Sequence, residues 1–362
     1  MRIRAAVLEK PGAELRLREL ELAAPGDGEL IVEISSCGIC HTDIGVQAMV
    51  PLPAVLGHEG TGIVVQRGPG VRSLSAGDRV ALTFGSCGCC RNCRAGMPSH
   101  CFDAVALNFS GLSSSGTTTM RDDEGCAVHG SFFSQSSFAS HALVNERNAV
   151  RIADDIPHRY LGPLGCGVQT GAGAVLNTLD VPAGSSIVCI GVGAVGLSAV
   201  MAAGIRGCRE IIAIDTRRAR LDLATELGAT HTCLASAGMV GEVLEITSGG
   251  ADFSLDTAGT VDTFHAAIAC LRMGGHAGLA SVPNWQDGFH FMPSQLALGR
   301  TVTGVLEGSS RPQAFIPELC RHFLAGRLPV DRLVQTYPFS GINRALDDLH
   351  HGRVVKPVLL MK

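Results

Sequence analysis

The chain has 362 residues, of which 46% are hydrophobic and 17% charged, and a formal net charge of −4. Its length suits two domains with separate cores, and its charge balance provides no basic footprint for nucleic acid. One Trp and two Tyr offer no stacking platform for bases, and no charge-free run of about 18 apolar residues suggests a membrane span.

At the N-terminus, Ile3 and Ala5-Ala6-Val7 are followed at once by Glu9 and Lys10. Such an apolar stretch is too short for a signal peptide, so a cytoplasmic location is expected. Residues 1–150 read as β-rich. Leu30-Ile31-Val32-Glu33-Ile34 and Gly62-Ile63-Val64-Val65-Gln66 have strand character, and Pro25-Gly26-Asp27-Gly28 and Ala76-Gly77-Asp78-Arg79 are turn clusters. The polar, low-complexity residues 110–119 read as an exposed loop. Near residue 160 the pattern changes. Ile187-Val188-Cys189-Ile190 is a buried strand, residues 194–205 a helix, Ile211-Ile212-Ala213-Ile214 a strand, and residues 217–227 a helix closed by Gly228. Phe253–Asp256 and His276–Ala280 are later strand candidates. This alternation implies a parallel doubly wound sheet, so the fold class is α/β. The tail carries a helix over Phe315–Ala325 and a strand at Pro357–Leu360, and no internal repeat is found.

Two metal signatures lie in the first half. Cys87-x2-Cys90-x2-Cys93-x7-Cys101 places four cysteines in one short window. Four thiolates complete a tetrahedron, which is the mark of a closed structural zinc site. Disulfides are the alternative, but no secretory signal is expected and a chain of this length is not a short secreted scaffold. A second set is scattered: Cys40 in Gly38-Ile39-Cys40-His41, His58 in Gly57-His58-Glu59, and Cys166 in Gly165-Cys166-Gly167. Taken singly, each reads as a buried thiol or a satisfied histidine. Taken together they leave one metal position open, as zinc chemistry requires. Cys126, Cys189, Cys208, Cys233, Cys270 and Cys320 read as small apolar fillers.

A dinucleotide fingerprint lies in the second half. Gly191-Val192-Gly193-Ala194-Val195-Gly196 follows a buried strand and opens a helix. Gly191 permits the tight turn, Gly193 lets backbone approach a pyrophosphate, and Gly196 allows close helix–strand packing. The phosphate would sit at the helix N-terminus. Asp215 ends the next strand, where a carboxylate suits the ribose hydroxyls of NAD and repels the 2′-phosphate of NADP. Arg217 and Arg218 read as a solvated face, while Arg220 is a candidate ribose contact.

With these pieces in place, the chain resembles the zinc-dependent medium-chain alcohol dehydrogenases over essentially its full length. The residues that carry the resemblance are Gly38-Ile39-Cys40-His41-Thr42-Asp43, Gly57-His58-Glu59-Gly60-Thr61-Gly62, the four-cysteine lobe, Gly165-Cys166-Gly167-Val168-Gln169-Thr170-Gly171 and the glycine fingerprint. Within the family, Phe132-Phe133-Ser134-Gln135-Ser136-Ser137-Phe138-Ala139 is most similar to the aryl-alcohol (benzyl alcohol) and terpenoid-alcohol branch.

The resemblance implies that Cys40, His58 and Cys166 ligate a catalytic zinc, with water or substrate oxygen in the fourth position. It implies that Thr42 hydrogen-bonds that oxygen and starts proton release, that Asp43 orients His58, and that Glu59 lies near the metal. His41 and Lys356 become phosphate contacts, and Thr170, Val195 and Val282 join the fingerprint as cofactor contacts. The best-known mammalian relatives carry a relay histidine where this chain has Gly45, so the proton must leave by His41, the ribose hydroxyl and solvent, or another group. Cys89 is a fifth thiol outside the family's zinc spacing. Phe132, Phe133 and Phe138 read as core, with substrate contact as the alternative.

The expected architecture is a GroES-like β-rich catalytic domain over 1–168, completed by 299–362, and a Rossmann NAD-binding domain over 169–298. Substrate is expected in the cleft between them. The expected function is reversible, NAD-dependent oxidation of a primary, aromatic or allylic alcohol to the aldehyde, with two Zn2+ per chain and a homodimeric or homotetrameric assembly. A glutathione-dependent formaldehyde dehydrogenase and a secondary-alcohol or polyol dehydrogenase are alternatives on the same fold. A non-catalytic NAD-binding redox sensor is the alternative of another class; retention of Cys40, His58, Cys166 and Thr42 argues against it.

Overall fold

A computed structural model describes residues 1–152, 155–281, 288 and 292–362. The chain divides into two units. One comprises Met1–Cys166, Arg311–Leu324 and Val330–Lys362; the other comprises Gly167–Ser310 and Ala325–Pro329.

The first unit is built on two sheets. One runs in the order Ala54–Val55, Arg2–Leu8, Arg16–Leu22, Met120–Arg121, Ala127–Val128. The other runs Ala149–Arg151, Arg79–Leu82, Glu59–Arg67, Glu29–Gly38, Lys356–Leu360, Val334–Pro338, with His141–Asn145 also paired to Glu29–Gly38. Alternation along these strands turns Leu30, Val32, Ile34, Val64, Val80 and Leu82 into a shared core with Leu8, Leu20, Phe132 and Phe138. Residues 110–119, read as a loop, contain no helix or strand.

Strand register places the chemistry. Gly38 pairs with Glu59, so Cys40 and His58 both lie just past the same edge of the Glu29–Gly38 and Glu59–Arg67 pair. The C-terminal strand brings Lys356 to that edge, because Val358 pairs with Gly38. The turn leading to Cys166 packs tightly against the strand end at Leu82. A Cβ on Gly165 would meet the Leu82 carbonyl oxygen at 1.9 Å, so only glycine fits there.

The second unit is a six-stranded parallel sheet in the order His231–Leu234, Glu210–Asp215, Ser186–Ile190, Ala251–Asp256, Leu271–Leu279, Thr301–Gly304. Its central strand Ser186–Ile190 is buried throughout, as strands covered on both faces must be. Helices Ala194–Arg206, Arg218–Glu226, Met239–Ile246 and Val261–Ala269 supply crossovers. The order reverses between the first strand in sequence, Ser186–Ile190, and the fourth, Ala251–Asp256, which is the arrangement of a dinucleotide-binding sheet. Residues 299–310 were expected in the catalytic portion. They belong to this unit instead, because Thr301–Gly304 pairs in parallel with Leu271–Leu279 and completes the sheet. No described helix is long and apolar enough to cross a membrane.

Candidate active site

Cys40, His58, Glu59 and Cys166 each offer one ligand atom, and these atoms lie within 4.8 Å of one another. Strand pairing brings Cys40 and His58 together, and the turn Gly162–Gly165 delivers Cys166. His58 is fully buried. Its Nδ1 lies 2.8 Å from Asp43 Oδ1, which leaves Nε2 buried with no hydrogen-bond partner among the described residues. A buried ring nitrogen without a partner is costly, and a metal ion removes that cost. Two thiols and this imidazole are zinc-type donors. The neighbouring Cys166 thiol and, after it, the His58 imidazole and the Lys356 charge hold the Cys40 thiol well below its usual range, against burial. Burial pushes the His58 imidazole down, but Asp43 and Cys40 overcome it and hold it well above its usual value.

Asp43 is itself buried. Oδ2 accepts from the Cys40 N–H at 2.9 Å, and Oδ1 accepts from the Gly57 N–H at 3.2 Å besides facing His58. One carboxylate thus fixes both segments that carry the donors. The Thr42 hydroxyl lies 3.6 Å from Cys40 Sγ, beside the donor cluster. His41 is exposed. Gly45 lies on the short helix Thr42–Gly45, with nothing within 4 Å of where a Cβ would stand.

Lys356 departs from expectation. Its ammonium is buried and donates to the Ile39 carbonyl at 3.1 Å and to the Glu59 carboxylate at 2.8 and 3.0 Å. It pairs with Glu59 rather than presenting itself to a phosphate. A buried carboxylate needs such a partner. Burial pushes the Glu59 carboxyl up, Lys356 pulls it down, and the net direction is upward.

Phe132, Phe133 and Phe138 are buried. Phe133 stacks on the His58 imidazole, with ring centroids 4.4 Å apart and an angle of 26°, while Phe132 meets it edge-on at 5.5 Å. The sequence reading missed Gln135, which hydrogen-bonds on both sides of Glu59. It lies about 75 residues away in the chain, so no linear signal exposes it.

Cys87, Cys90, Cys93 and Cys101 form a second cluster. Cys87 Sγ and Cys93 Sγ are 3.9 Å apart, close to the roughly 3.8 Å edge expected of a tetrahedron with Zn–S near 2.3 Å. Backbone N–H groups of Cys87 and Cys90 donate to Cys101 Sγ and Cys87 Sγ, each at 3.3 Å. Backbone N–H groups of Cys93 and Phe102 pull the Cys90 thiol down to about 6. Cys89 is exposed and outside the cluster.

In the parallel sheet, the fingerprint glycines have distinct surroundings. Gly191 has φ +83°. A Cβ on Gly196 would meet the Gly191 carbonyl oxygen at 2.0 Å, whereas Gly193 has open space. Asp215 accepts from the N–H groups of Val192 and Arg217, both at 2.9 Å, and so buttresses the turn. Val195 lies in the helix that opens at the turn, and Thr170 lies in Gly167–Gly173, which packs on that helix: a Cβ on Gly171 would meet the Val195 carbonyl oxygen at 2.0 Å. Arg220 is half-buried, where burial lowers its guanidinium and Asp215 opposes that effect. Val282 lies outside the described residues.

Residues 26–154 match the family described as "Alcohol dehydrogenase GroES-like domain", and residues 194–323 match "Zinc-binding dehydrogenase". The chain is 42% identical over 364 residues to geraniol dehydrogenase of Castellaniella defragrans, covering 98% of this chain and 97% of that protein. The crystal structure of benzyl alcohol dehydrogenase from Acinetobacter calcoaceticus superposes with a TM-score of 0.96 at 42% identity and full coverage of both chains. An alcohol dehydrogenase zinc-binding domain protein from Burkholderia ambifaria gives a TM-score of 0.98 at 45% identity, covering 100% of this chain and 99% of that one. The chain belongs to the zinc-dependent medium-chain alcohol dehydrogenase family. It interconverts alcohols and aldehydes with NAD and uses two zinc ions per chain, one for each donor cluster.

The closed four-thiol cluster serves stability. Cys93→Ser is expected to lower the thermal midpoint and reduce zinc from two to one per chain, by metal analysis. Two retained zincs and an unchanged midpoint would contradict the assignment.

Proposed function

We propose that the chain oxidises primary alcohols whose aldehydes are conjugated, aromatic or allylic, using NAD, and that the reaction runs in both directions. The observation that carries this reading is the apolar setting of the metal-binding imidazole: Phe133, itself buried, stacks on His58, with Phe132 and Phe109 packed against Phe133. A flat apolar substrate gains about 25 cal/mol per Å2 of apolar area buried. The relatives named for benzyl alcohol and geraniol support the same class.

In this reading Cys40, His58 and Cys166 would hold the catalytic zinc, which would supply Lewis acidity toward the alcohol oxygen, and NAD would supply the hydride acceptor. Asp43 keeps the Nδ1 proton on His58, so Nε2 faces the donor cluster. Thr42, beside Cys40, takes the first proton. With no imidazole at Gly45, the proton leaves through His41 or through a ribose hydroxyl to solvent. Gly191, Gly193, Val195, Gly196, Thr170, Asp215 and Arg220 form the NAD contacts. Among the described residues no cysteine is in a disulfide, which suits a reducing cytoplasm. A homodimer or homotetramer completes the proposal.

Three tests follow from these roles. Thr42→Ala should lower kcat roughly 100-fold, the scale of a lost acid–base step, with little change in NAD binding; near-normal turnover would remove Thr42 from proton transfer. A panel read by NADH formation should give benzyl alcohol or a geraniol-like alcohol at least about tenfold higher kcat/KM than ethanol, since ~1.4 kcal/mol suffices. The Asp215 carboxylate should make NADP worse than NAD by about thirtyfold or more in the same assay. Ethanol used equally well, or activity only with formaldehyde and glutathione, would overturn the substrate class.

A further inference from the structure

The segment that follows Ser131 is held in an unusual backbone. Phe133, Ser134 and Ser136 have φ of 49°, 53° and 51°, in the left-handed region that residues with a side chain seldom enter. Such conformations persist where the surroundings over-determine them, and they cluster at functional sites. Here the surroundings are specific. Ser136 Oγ accepts from the Phe132 N–H at 2.9 Å and donates to the Val55 carbonyl at 2.6 Å. The N–H groups of Ser137 and Phe138 donate to the carbonyls of Gly57 and Leu56 at 2.8 and 3.0 Å. The segment is thereby laced along Leu56-Gly57, immediately before His58.

This lacing aims one side chain inward. Gln135 is fully buried. Its Oε1 accepts from the Gly60 N–H at 3.1 Å and from the Ser137 hydroxyl at 2.6 Å. Its Nε2 donates to the His58 carbonyl at 2.8 Å and to the Thr83 carbonyl at 3.3 Å. An amide has two donors and two acceptor lone pairs, so its capacity is fully used. The Thr83 hydroxyl in turn donates to the Gly165 carbonyl at 2.9 Å, one residue before Cys166. The amide therefore grips the main chain on both sides of Glu59 and is linked, through Thr83, to the turn that delivers Cys166.

We propose that Gln135 is a positioning residue for the catalytic metal: by joining His58, Gly60 and Thr83 it sets the spacing between the backbone segments that present His58 and Cys166. Asp43 fixes the His58 ring from one side, and Gln135 fixes its main chain from the other. A buried amide suits this role because it supplies two donors and two acceptors without adding charge beside Cys40, Glu59 and Lys356. The proposal rests on His58 and Cys166 as metal ligands, which the zinc content of the unmodified enzyme tests separately.

The experiment uses Gln135→Met, which keeps side-chain length and removes the hydrogen bonds. Release of each zinc to a chelator is followed together with the visible spectrum of enzyme carrying Co2+ at the catalytic site. Catalytic zinc should leave about tenfold faster, as for other lost partners of metal-binding residues. The cobalt spectrum should shift, and the four-thiol zinc should leave at its original rate. Unchanged release and spectrum would overturn the proposal, as would equal acceleration of both zincs, which would mean general loosening. If Gln135→Met does not fold, Ser137→Ala, which removes one hydroxyl that orients Oε1, should accelerate catalytic zinc release alone; an unchanged rate there overturns the proposal.

Discussion

The Asp43 carboxylate is the interaction on which the catalytic half depends. It is buried, and three groups converge on it: the N–H of Cys40, the N–H of Gly57 and the imidazole of His58. Charge-assisted hydrogen bonds to a carboxylate are about twice as strong as neutral ones, and their strength depends on all three partners being present. Loss of the side chain would leave two backbone donors and one ring nitrogen unsatisfied in the interior. The same carboxylate ties a strand end to a strand beginning, so it fixes the separation of two donors that lie 18 positions apart in sequence.

Charge is balanced around this centre by pairing. Glu59 and Lys356 are both buried and face each other at 2.8 Å. Removing either would strand an ion in a low-dielectric interior, which costs more than the pair returns when intact. The C-terminal strand is thus part of the site: its register beside Glu29–Gly38 places the ammonium against Ile39 and Glu59. A cation held this way steadies the Glu59 carboxylate beside the metal donors. The aromatic rings of Phe133 and Phe132 pack on the His58 imidazole and give it an apolar surrounding.

Much of this was legible in sequence because the relevant signals are local. The glycine turn, its flanking strands and the acid at Asp215 follow one another within about 30 positions, and the structure keeps that order: Ser186–Ile190, Ala194–Arg206, Glu210–Asp215. The four-cysteine lobe is equally local. The extent of the sheet was less visible. Thr301–Gly304 is short and has no flanking alternation, so its place as the sixth strand depends on pairing with Leu271–Leu279. At the catalytic centre, residue types were readable but not partnerships. Lys356 meets Glu59 across 297 positions and Gln135 meets His58 across 77; only strand register and the strained turn at Phe133–Ser136 create those contacts.

The claim that one buried carboxylate organises the catalytic metal site is tested most directly by zinc analysis of Asp43→Asn after chelator challenge. The amide matches the carboxylate in shape but lacks its charge, and it presents a donor where acceptors are needed. The account predicts catalytic zinc affinity lower by about 10- to 100-fold, leaving about one zinc per chain, held by the four cysteines. Two zincs per chain with the chelator resistance of the unmodified enzyme would contradict it.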